Sequence, residues 1–468
     1  MIFSFGGFIF YILTAYRYNE AMINQFNVSL WGDEAFAAVL AQYLPLEIIT
    51  KVAKDTSPPL YYLFLHFWMR LFGTSEVAIR TLSFSFFLLT CFFIYLIGKK
   101  LFDQKTGILA ATLSLINPFL FHYAFEGRMY ALLALTCTAS IYFYLRKSWF
   151  WYAAVTLAAL YTHHFALLVV AVQGIWFLIS VFQKRIKFFS KSFWAFLAVG
   201  LFYLPWLPAL YYQTKLVESG FWLARPNLQS LADLFLSFTI GGEAKTLKLK
   251  IILGLLLALL GLRQWAKKKR ATQYLLVWCL IPIVLTFIVS FLGQSIFFDR
   301  YLLLVIPPLM LLLVSNLRKI KFSKYNMRCS LGLLILAAAI FLLGTNTFNY
   351  FIHPTKKPFA RLASYIKQNK TKEMDLINYC GNAHHLFESK YYHLQAPIYA
   401  PDGSLPFFVG TALMGKEDMI SKLPDKDLIW VITSDNKENV NLTNYQCFGG
   451  KEFDGLKVLW FKRNNGKI

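Results

Sequence analysis

Two adjacent carboxylates, Asp33 and Glu34, follow the first apolar segment of a chain that is otherwise rich in apolar residues. Paired acids at the surface of a membrane protein typically move a proton, hold a metal ion or bind a cationic group. The alternative is that they cap a helix beginning near Ala35, where carboxylates complement the macrodipole. Because a cap accounts for only one of the two acids, we predict a functional role for the pair.

Other polar residues with chemical potential lie between apolar runs. Asp55 precedes Pro58-Pro59 and is either a second functional acid or a turn former. Glu126 and Arg128 are separated by one residue, so a tight turn would let both face one site, and a guanidinium binds phosphate in a bidentate manner. The simpler alternative is an ion pair that snorkels to the interface.

Two further boundaries carry His163-His164 and Asp299-Arg300-Tyr301. Neighbouring histidines on one turn cannot easily face the same ligand, so we expect at most one of them to act. Arg300 is a second candidate for binding phosphate, with anchoring of a helix end as the alternative.

The sequence shows no Gly-rich phosphate loop, zinc-ligand spacing, Ser/His/Asp arrangement or dinucleotide-binding fingerprint. An enzyme of this kind would not take a nucleotide-activated substrate from the cytosol. A donor substrate that is attached to a lipid is more consistent with this sequence.

The composition places most of the 468 residues in a membrane, since 57% are hydrophobic, 18% aromatic and only 15% charged. About eleven apolar runs are long enough to span a bilayer, which takes roughly 17 to 25 residues, although the first and the fifth are marginal. We interpret the first as an uncleaved helix and not as a signal peptide. The runs lie near 2–17, 81–98, 107–124, 129–146, 149–163, 164–182, 192–212, 249–265, 272–292, 299–316 and 330–350.

The net charge of +23 follows the predicted topology and does not indicate nucleic-acid binding. The lysines and arginines cluster between apolar runs, and with a cytoplasmic N-terminus and eleven spans every cluster faces the cytoplasm. The remaining polar segments then face outside, and they contain every candidate residue named above except Tyr301, which directly follows one of them. These segments are 17–80, 125–128, the turn around His163, 213–248, 293–300 and the tail from about 351.

The outer segments have structure of their own. In the loop 17–80 we predict short helices over 33–43 and 45–54, followed by an interfacial helix that begins after Pro58-Pro59. The loop 213–248 either covers a substrate cleft or is a surface connection. The sequence thus divides into a transmembrane domain, 1–350, and an outer α/β domain, 351–468.

The outer α/β domain is predicted from short apolar runs that alternate with helical patterns. We expect strands at 375–380, 427–433 and 457–462, and helices at 358–369 and 383–394. Cys380 and Cys447 both lie in this domain, where the compartment permits a disulfide that their spacing does not establish.

An ordered set of motifs within residues 20–320 resembles the membrane-embedded, lipid-donor glycosyltransferases with the C-type fold (GT-C). The similar families are the protein O-mannosyltransferases, the aminoarabinose transferases and the rhizobial lipopolysaccharide galacturonosyltransferases. The motifs are Trp31-Gly32-Asp33-Glu34-Ala35, Asp55-Thr56-Ser57-Pro58-Pro59-Leu60-Tyr61-Tyr62, Phe72-Gly73-Thr74-Ser75-Glu76 with Arg80, Glu126-Gly127-Arg128-Met129-Tyr130, Tyr161-Thr162-His163-His164-Phe165 and Arg300-Tyr301-Leu302-Leu303. The chain departs from the usual pattern at Ser57, which is often His, and at Gly127, which is more often Ala.

The resemblance implies an all-α polytopic membrane protein of about eleven transmembrane helices with a small C-terminal extracytoplasmic α/β domain. It implies transfer of a sugar from a polyprenyl-phosphate-sugar to a lipid, glycan or protein acceptor outside the cytoplasmic membrane, with Asp33 as catalytic base. Glu34 and Asp55 are the other catalytic candidates. Glu126, Arg128, His163, His164, Arg300 and Tyr301 are the candidates for substrate binding.

The resemblance leaves a divalent cation, Mg²⁺ or Mn²⁺, open, with Glu34 and Asp55 as its candidate ligands. Two rival functions predict different behaviour. A transporter or flippase would carry charges along a path across the bilayer, whereas here they gather on one face. A scaffold protein would work normally with Asp33 and Asp55 both neutralised.

Overall fold

The computed structural model describes residues 23–241, 270–317, 340–341, 343–379, 385–402, 405 and 410–464. Outside these residues lie Cys380, the apolar runs predicted at 2–17 and 249–265, and most of the run predicted at 330–350. A pairing of Cys380 with Cys447, which the sequence leaves open, therefore involves a residue outside the described ranges.

The first loop contains three short helices, as its sequence predicts. They are α1 (Gly32–Leu40), α2 (Pro45–Val52) and α3 (Leu60–Phe72). Helix α2 begins with Pro45 at its first position, where the missing N–H costs nothing, and α3 ends at Gly73, which has a positive φ of 85°. Together these helices place Asp33 at the start of α1 and Asp55 in the turn between α2 and α3.

The apolar helices that follow pack into a bundle. They are α4 (Glu76–Leu101), α5 (Gln104–Leu115), α6 (Pro118–Ala124), α7 (Tyr130–Arg146), α8 (Trp149–Leu160), α9 (Ala166–Phe182), α10 (Lys191–Tyr203), α11 (Leu207–Glu218), α12 (Leu228–Ile240), α13 (Arg270–Leu292) and α14 (Ile306–Leu317). By length and composition, three helical stretches among the described residues could cross a membrane: α4, α10 with α11, and α13. The pair α5 and α6 could form a fourth span.

The structure corrects three of the predicted spans. The run 107–124 is not one helix but α5 and α6, bent by 65°, because Asn117 precedes Pro118 and a residue before proline avoids the helical region. Asn117 instead caps α6, its side chain accepting from the N–H of Leu120 at 2.8 Å. The run 149–163 is helical only over Trp149–Leu160, and the run 299–316 begins as a 3₁₀ helix, Asp299–Val305.

Small residues allow close packing between α4 and α5. A Cβ at Gly107 would lie 2.5 Å from the carbonyl oxygen of Tyr95, and one at Gly98 would lie 2.6 Å from the Cα of Gly107. Such contacts are typical of helices that pack within a membrane, where close backbone approach replaces the hydrophobic effect.

The tail forms an α/β unit with a six-stranded sheet in the order β3-β2-β1-β4-β6-β5. The strands β1 to β4 run parallel, whereas β5 and β6 are antiparallel additions at one edge. The predicted strands and helices are found, and β2, β3 and β5 were not predicted. The elements are α15 (Phe359–Asn369), β1 (Met374–Tyr379), α16 (Leu386–Tyr391), β2 (Ile398–Tyr399), β3 (Met419–Ile420), β4 (Leu428–Thr433), β5 (Tyr445–Phe453) and β6 (Leu456–Arg463).

An apolar core connects the tail to the first loop. It includes residues of α1 to α3 and of the bundle, and it extends to Leu386, Phe387 and Ile398 of the tail. Polar contacts reinforce this junction, since the hydroxyl of Tyr392 donates to Glu76 at 2.8 Å and the N–H of Leu30 donates to the same hydroxyl at 3.1 Å. The tail is therefore packed directly against the helix that carries Asp33 and Glu34.

Candidate active site

Asp33 and Glu34 occupy different surroundings, although they are consecutive residues in the first turn of α1. Successive residues of an α-helix are rotated by about 100° around its axis, so their side chains diverge. The side chain of Asp33 is 35% exposed, whereas that of Glu34 is completely buried. The two carboxylates thus form the centres of two separate clusters.

The Asp33 cluster contains two arginines from distant parts of the chain. The Oδ2 atom of Asp33 lies 3.4 Å from Nη1 of Arg300 and 3.9 Å from Nη2 of Arg128. Arg128 also donates to the backbone carbonyl of Asp33 at 3.3 Å. The cluster therefore brings together the predicted base and both predicted phosphate-binding arginines.

Both guanidinium groups retain donors that could bind a ligand. They are largely buried, with side-chain exposures of 12% for Arg128 and 16% for Arg300. The Nε atom of each has no hydrogen-bond partner among the described residues. Because a buried donor without a partner costs about 1–3 kcal/mol, these atoms favour an anionic ligand between the two arginines.

Aromatic rings hold Arg300 in place. Its guanidinium carbon lies 4.6 Å from the ring centre of Phe298, 5.3 Å from that of Tyr130 and 5.6 Å from that of Tyr301. In the segment 213–248, Trp222 packs on Phe298 with ring centres 5.3 Å apart. The part of that loop which the structure describes thus contacts the edge of the Asp33 cluster.

Asp55 lies beside this cluster in the turn after α2. Burial raises the pKa of its carboxyl, and nearby Asp33 acts in the same direction, while the N–H of Thr56, Arg128 and the Ser57 hydroxyl oppose the shift. The hydroxyl of Ser57 lies 3.0 Å from that of Tyr62, which lies 3.5 Å from Nη1 of Arg128. The Asp55 turn is thus linked to Arg128 through Tyr62.

His163 and His164 face different partners. His163 lies beside Tyr301, with ring centres 5.0 Å apart, and its Nδ1 accepts from the N–H of Phe165 at 3.1 Å. Burial lowers its pKa well below the usual range, and the positive charges of Arg300 and Arg128 add to the effect. His163 is therefore a neutral imidazole at the edge of the Asp33 cluster.

His164 instead helps to hold the Asp55 turn. Its Nε2 lies 2.7 Å from Oε1 of Gln213, and burial lowers its pKa to about 4. The amide of Gln213 donates to the carbonyls of Val52 at 2.9 Å and Ser57 at 3.3 Å. Sequence reasoning named His164 as a substrate-binding residue but gave no indication of Gln213.

The Glu34 cluster is closed by four donors. Arg80 forms a bidentate pair with Glu34, at 2.6 Å and 3.0 Å, and Lys356 donates to the same carboxylate at 3.0 Å. The N–H groups of Gly127 and Trp31 donate to it at 2.8 Å and 3.4 Å. Although burial would raise the pKa of Glu34, Arg80 and Lys356 outweigh it and lower the pKa to about 2.

Arg80 connects this cluster to the segment that precedes α1. It donates to the backbone carbonyls of Phe26, Val28 and Ser29, so every arm of its buried guanidinium is used. Sequence reasoning placed Arg80 within a motif without assigning it a partner. It missed Lys356, whose position after the last apolar run carries no spacing signal.

Glu126 and Arg128 have different partners in the structure, so the alternative of an ion pair between them is not found among the described residues. The Oε1 atom of Glu126 lies 3.4 Å from Nε2 of His122, and its buried Oε2 has no partner among the described residues. Gly127 explains why the turn is so tight, since a Cβ there would lie 2.7 Å from Cγ2 of Ile79. The glycine lets its own N–H reach Glu34.

The residues proposed as metal ligands do not fit a divalent cation in this arrangement. Of the two predicted ligands, Glu34 already accepts hydrogen bonds from two cationic side chains, and Asp55 lies near the cationic Arg128. Within the described ranges no three His, Cys, Asp or Glu residues come together as a metal site would require. The positive charge at this site comes from the protein's own arginines, and we derive no catalytic step through a metal ion.

The chain shares its fold with solved structures of ArnT, in agreement with the C-type fold that the sequence motifs indicated. The chain superposes on ArnT from Cupriavidus metallidurans in the apo state with a TM-score of 0.66 and 14% identity, covering 97% of this chain and 98% of that one. For ArnT bound to undecaprenyl phosphate the TM-score is 0.59 at 13% identity, covering 98% of each chain.

A second solved protein shares this fold. The archaeal oligosaccharyltransferase AglB from Archaeoglobus fulgidus, in complex with an inhibitory peptide and a dolichol-phosphate, gives a TM-score of 0.52 at 11% identity. That match covers 88% of this chain and 66% of AglB.

In sequence, residues 56–212 match the family model described as dolichyl-phosphate-mannose-protein mannosyltransferase. The match includes the Pro58-Pro59 helix, Arg80, the Glu126–Arg128 turn and both histidines, but it begins after Asp33 and ends before Arg300. No curated protein shows a significant sequence match to the chain.

Proposed function

We propose that this protein is an integral-membrane glycosyltransferase that moves a sugar from a polyprenyl-phosphate-sugar to an acceptor hydroxyl outside the cytoplasmic membrane. The observation that carries the proposal is the Asp33 cluster, in which an accessible carboxylate lies within 4 Å of two largely buried arginines. A base beside two phosphate-binding groups is what displacement of a lipid phosphate by a hydroxyl requires.

In the proposed reaction, Asp33 accepts the proton of the acceptor hydroxyl as its oxygen bonds to the anomeric carbon. The bond between that carbon and the phosphate oxygen breaks in the same displacement, so the configuration of the sugar inverts. The polyprenyl phosphate departs with an additional negative charge, which the unused donors of Arg128 and Arg300 stabilise.

Glu34 has a different role in this proposal. Its carboxylate is fully buried and paired with Arg80 and Lys356, so it contacts neither donor nor acceptor. We propose that it is a positioning residue that fixes the first turn of α1 and thereby the direction of Asp33. This assignment replaces the catalytic and metal-binding roles that the sequence suggested.

An apolar cavity next to the Asp55 turn supports a prenyl chain as part of the donor. Its volume is about 770 Å³, and its lining includes Pro59, Leu60, Leu63, Tyr161 and Trp206. Pro59 is two residues from Ser57, which connects through Tyr62 to Arg128. A lipid chain bound in this cavity would thus have its phosphate end on the side of Arg128.

The direct test is to incubate the purified protein in detergent with a panel of radiolabelled polyprenyl-phosphate sugars, with and without a chelator. Lipid, glycan and peptide acceptors are included in separate reactions. We expect transfer from at least one donor, and undiminished transfer in the chelator. Transfer from none of them, together with lipid movement in liposomes, would favour a flippase instead.

A further inference from the structure

The tail contains a serine, a histidine and a glutamate in the arrangement of a hydrolase triad, although the serine is far from the other two in sequence. The Oγ atom of Ser434 lies 2.7 Å from Nε2 of His385, and Nδ1 of His385 lies 3.0 Å from Oε1 of Glu388. Such an array is recognised by its geometry and not by sequence order. The sequence alone indicated no Ser/His/Asp arrangement because 49 residues separate Ser434 from His385.

The neighbouring groups fix the direction of each hydrogen bond in this array. A carboxylate accepts hydrogen bonds, so Nδ1 of His385, which faces Glu388, carries the imidazole proton and Nε2 is left as the acceptor. The ammonium of Lys357, which can only donate, lies 2.8 Å from Oγ of Ser434. The proton of the serine hydroxyl is therefore the one directed at Nε2, as general-base activation requires.

The surroundings of the array keep it ordered but accessible. His385 and Glu388 are 6% and 5% exposed, whereas Ser434 is half-buried and Lys357 is exposed. The Oε2 atom of Glu388 is buried and has no hydrogen-bond partner among the described residues. The carboxylate lies close to Gly32 at the start of α1.

The array lies where α/β sheets usually bind ligands. Ser434 directly follows β4, and His385 lies on the connection that leaves β1. The strands β1 and β4 are parallel neighbours, and the chain continues from β1 to β2 on the other side. The crevice at the carboxyl ends of β1 and β4 is thus a topological switch point, which favours ligand binding.

We propose that Ser434, His385 and Glu388 form a second catalytic site, which cleaves carboxylic esters through an acyl-serine intermediate. Ser434 Oγ bonds to the ester carbonyl carbon while His385 Nε2 takes the hydroxyl proton. The ester C–O bond then breaks, and His385 gives that proton to the departing alkoxide oxygen. Lys357 stabilises the negative charge that develops near Oγ.

Water completes the cycle. His385 removes a proton from a water molecule, whose oxygen bonds to the acyl carbon. The bond from that carbon to Oγ breaks, the carboxylic acid leaves, and the proton returns to Ser434. This activity is independent of the proposed glycosyl transfer, since none of its residues contacts Asp33, Arg128 or Arg300 in a hydrogen bond or ion pair among the described residues.

The test is to treat the full-length protein in detergent with a fluorophosphonate probe and to map the labelled residue by mass spectrometry. We expect labelling at Ser434, and loss of it in Ser434→Ala. His385→Ala should slow labelling by about 10²-fold, the usual contribution of a general base. Ser421→Ala, which changes an exposed serine after β3, is the matched control and should label normally.

A second readout separates catalysis from a purely structural contact. We expect hydrolysis of p-nitrophenyl butyrate with an initial burst that Ser434→Ala abolishes, while the thermal unfolding of that variant stays close to that of the unchanged protein. Absence of label at Ser434 in the folded protein, or labelling that His385→Ala leaves unchanged, would overturn the proposal.

Discussion

The Asp33 cluster and the Glu34 cluster show how the same chemical pair, a carboxylate with cationic side chains, serves two purposes. At Glu34 the side chains of Glu34 and Arg80 are both 0% exposed, the closest contact is 2.6 Å and the carboxylate accepts four donors. At Asp33 the contacts are 3.4 Å and 3.9 Å, the carboxylate is 35% exposed and both arginines have donors left over.

The difference separates a structural ion pair from a site prepared for a substrate. Removing charges from water is expensive and is tolerated at Glu34 because each buried charge has an opposite charge within 3.0 Å. The contacts around Asp33 are longer, and the Nε atoms of Arg128 and Arg300 have no hydrogen-bond partner among the described residues. In the proposed complex, the lipid phosphate binds the arginines and the acceptor hydroxyl binds Asp33.

The largest expected effect is on stability, from Glu34→Gln. The substitution removes the carboxylate with which buried Arg80 and Lys356 both pair, so we expect the free energy of unfolding to fall by about 3–5 kcal/mol. Denaturant unfolding in detergent measures this. The control is Glu218→Gln, because Glu218 is 51% exposed and its pair with Lys215 is worth at most about 1 kcal/mol. Equal stability of the two variants would contradict the structural role of Glu34.

The same cluster predicts a pH dependence. The pKa of Glu34 is lowered from 4.5 to about 2 in the folded protein. Its stabilising contribution is therefore complete above about pH 4.5 and is lost as the pH falls towards 2. We expect the stability difference between the unchanged protein and Glu34→Gln to narrow over that range; a constant difference would contradict it.

The next effect is on activity, from Arg128→Gln and Arg300→Gln. Loss of one group that stabilises the leaving phosphate should lower kcat by about 10²–10³-fold, with little change in unfolding. Steady-state transfer assays measure this, with Arg463→Gln in the tail as the control. If either variant lost only affinity for the donor and kept its kcat, the arginine would bind the ground state and the transition state equally, and would not stabilise the leaving phosphate selectively.

A smaller effect is expected from Gly127→Ala, which tests the contact between the turn and Glu34. The new Cβ would lie 2.7 Å from Cγ2 of Ile79, and overpacking of this kind costs about 1–3 kcal/mol. The cost should decrease in an Ile79→Ala background, which removes the clashing carbon. An unchanged cost in that background would show that the strain lies elsewhere.

The smallest effect is expected from Gln213→Leu, which cuts the link from His164 to the carbonyls of Val52 and Ser57. The loss of hydrogen bonds should cost about 1 kcal/mol in stability. Because the Asp55 turn is loosened, transfer should slow severalfold. The control is Gln183→Leu at an exposed position, and equal activity of the two variants would show that the turn is held by other contacts.

The sequence predicted which residues meet at the Asp33 cluster. It did not predict that Asp33 and Glu34 belong to two separate clusters. Asp33, Arg128 and Arg300 could be grouped because all three follow or precede apolar runs at one face of the membrane. The partners of Glu34 could not, since Arg80 is 46 residues away and Lys356 is 322 away. The divergence of Asp33 and Glu34 follows from the helical rotation, once the helix is known to begin at Gly32.

The fold, too, could be predicted from the sequence only in part. Strong local patterns identified α1 to α3 and the central strands of the tail. A hydropathy pattern gives the length of an apolar run but not the direction of its helix axis, so the bend at Asn117-Pro118 was missed. The two-residue strands β2 and β3 are too short to give a pattern, and β5 contains Gly449-Gly450, which are uncommon in strands.

The most direct test of the central claim is the chemical step itself in Asp33→Asn. The protein is loaded with a radiolabelled polyprenyl-phosphate sugar that it uses, mixed with acceptor and followed over a single turnover. We expect Asp33→Asn to bind the donor, to unfold at nearly the same denaturant concentration as the unchanged protein, and to transfer sugar at least about 10²-fold more slowly. Near-normal transfer by this variant would contradict the assignment of Asp33 as the base.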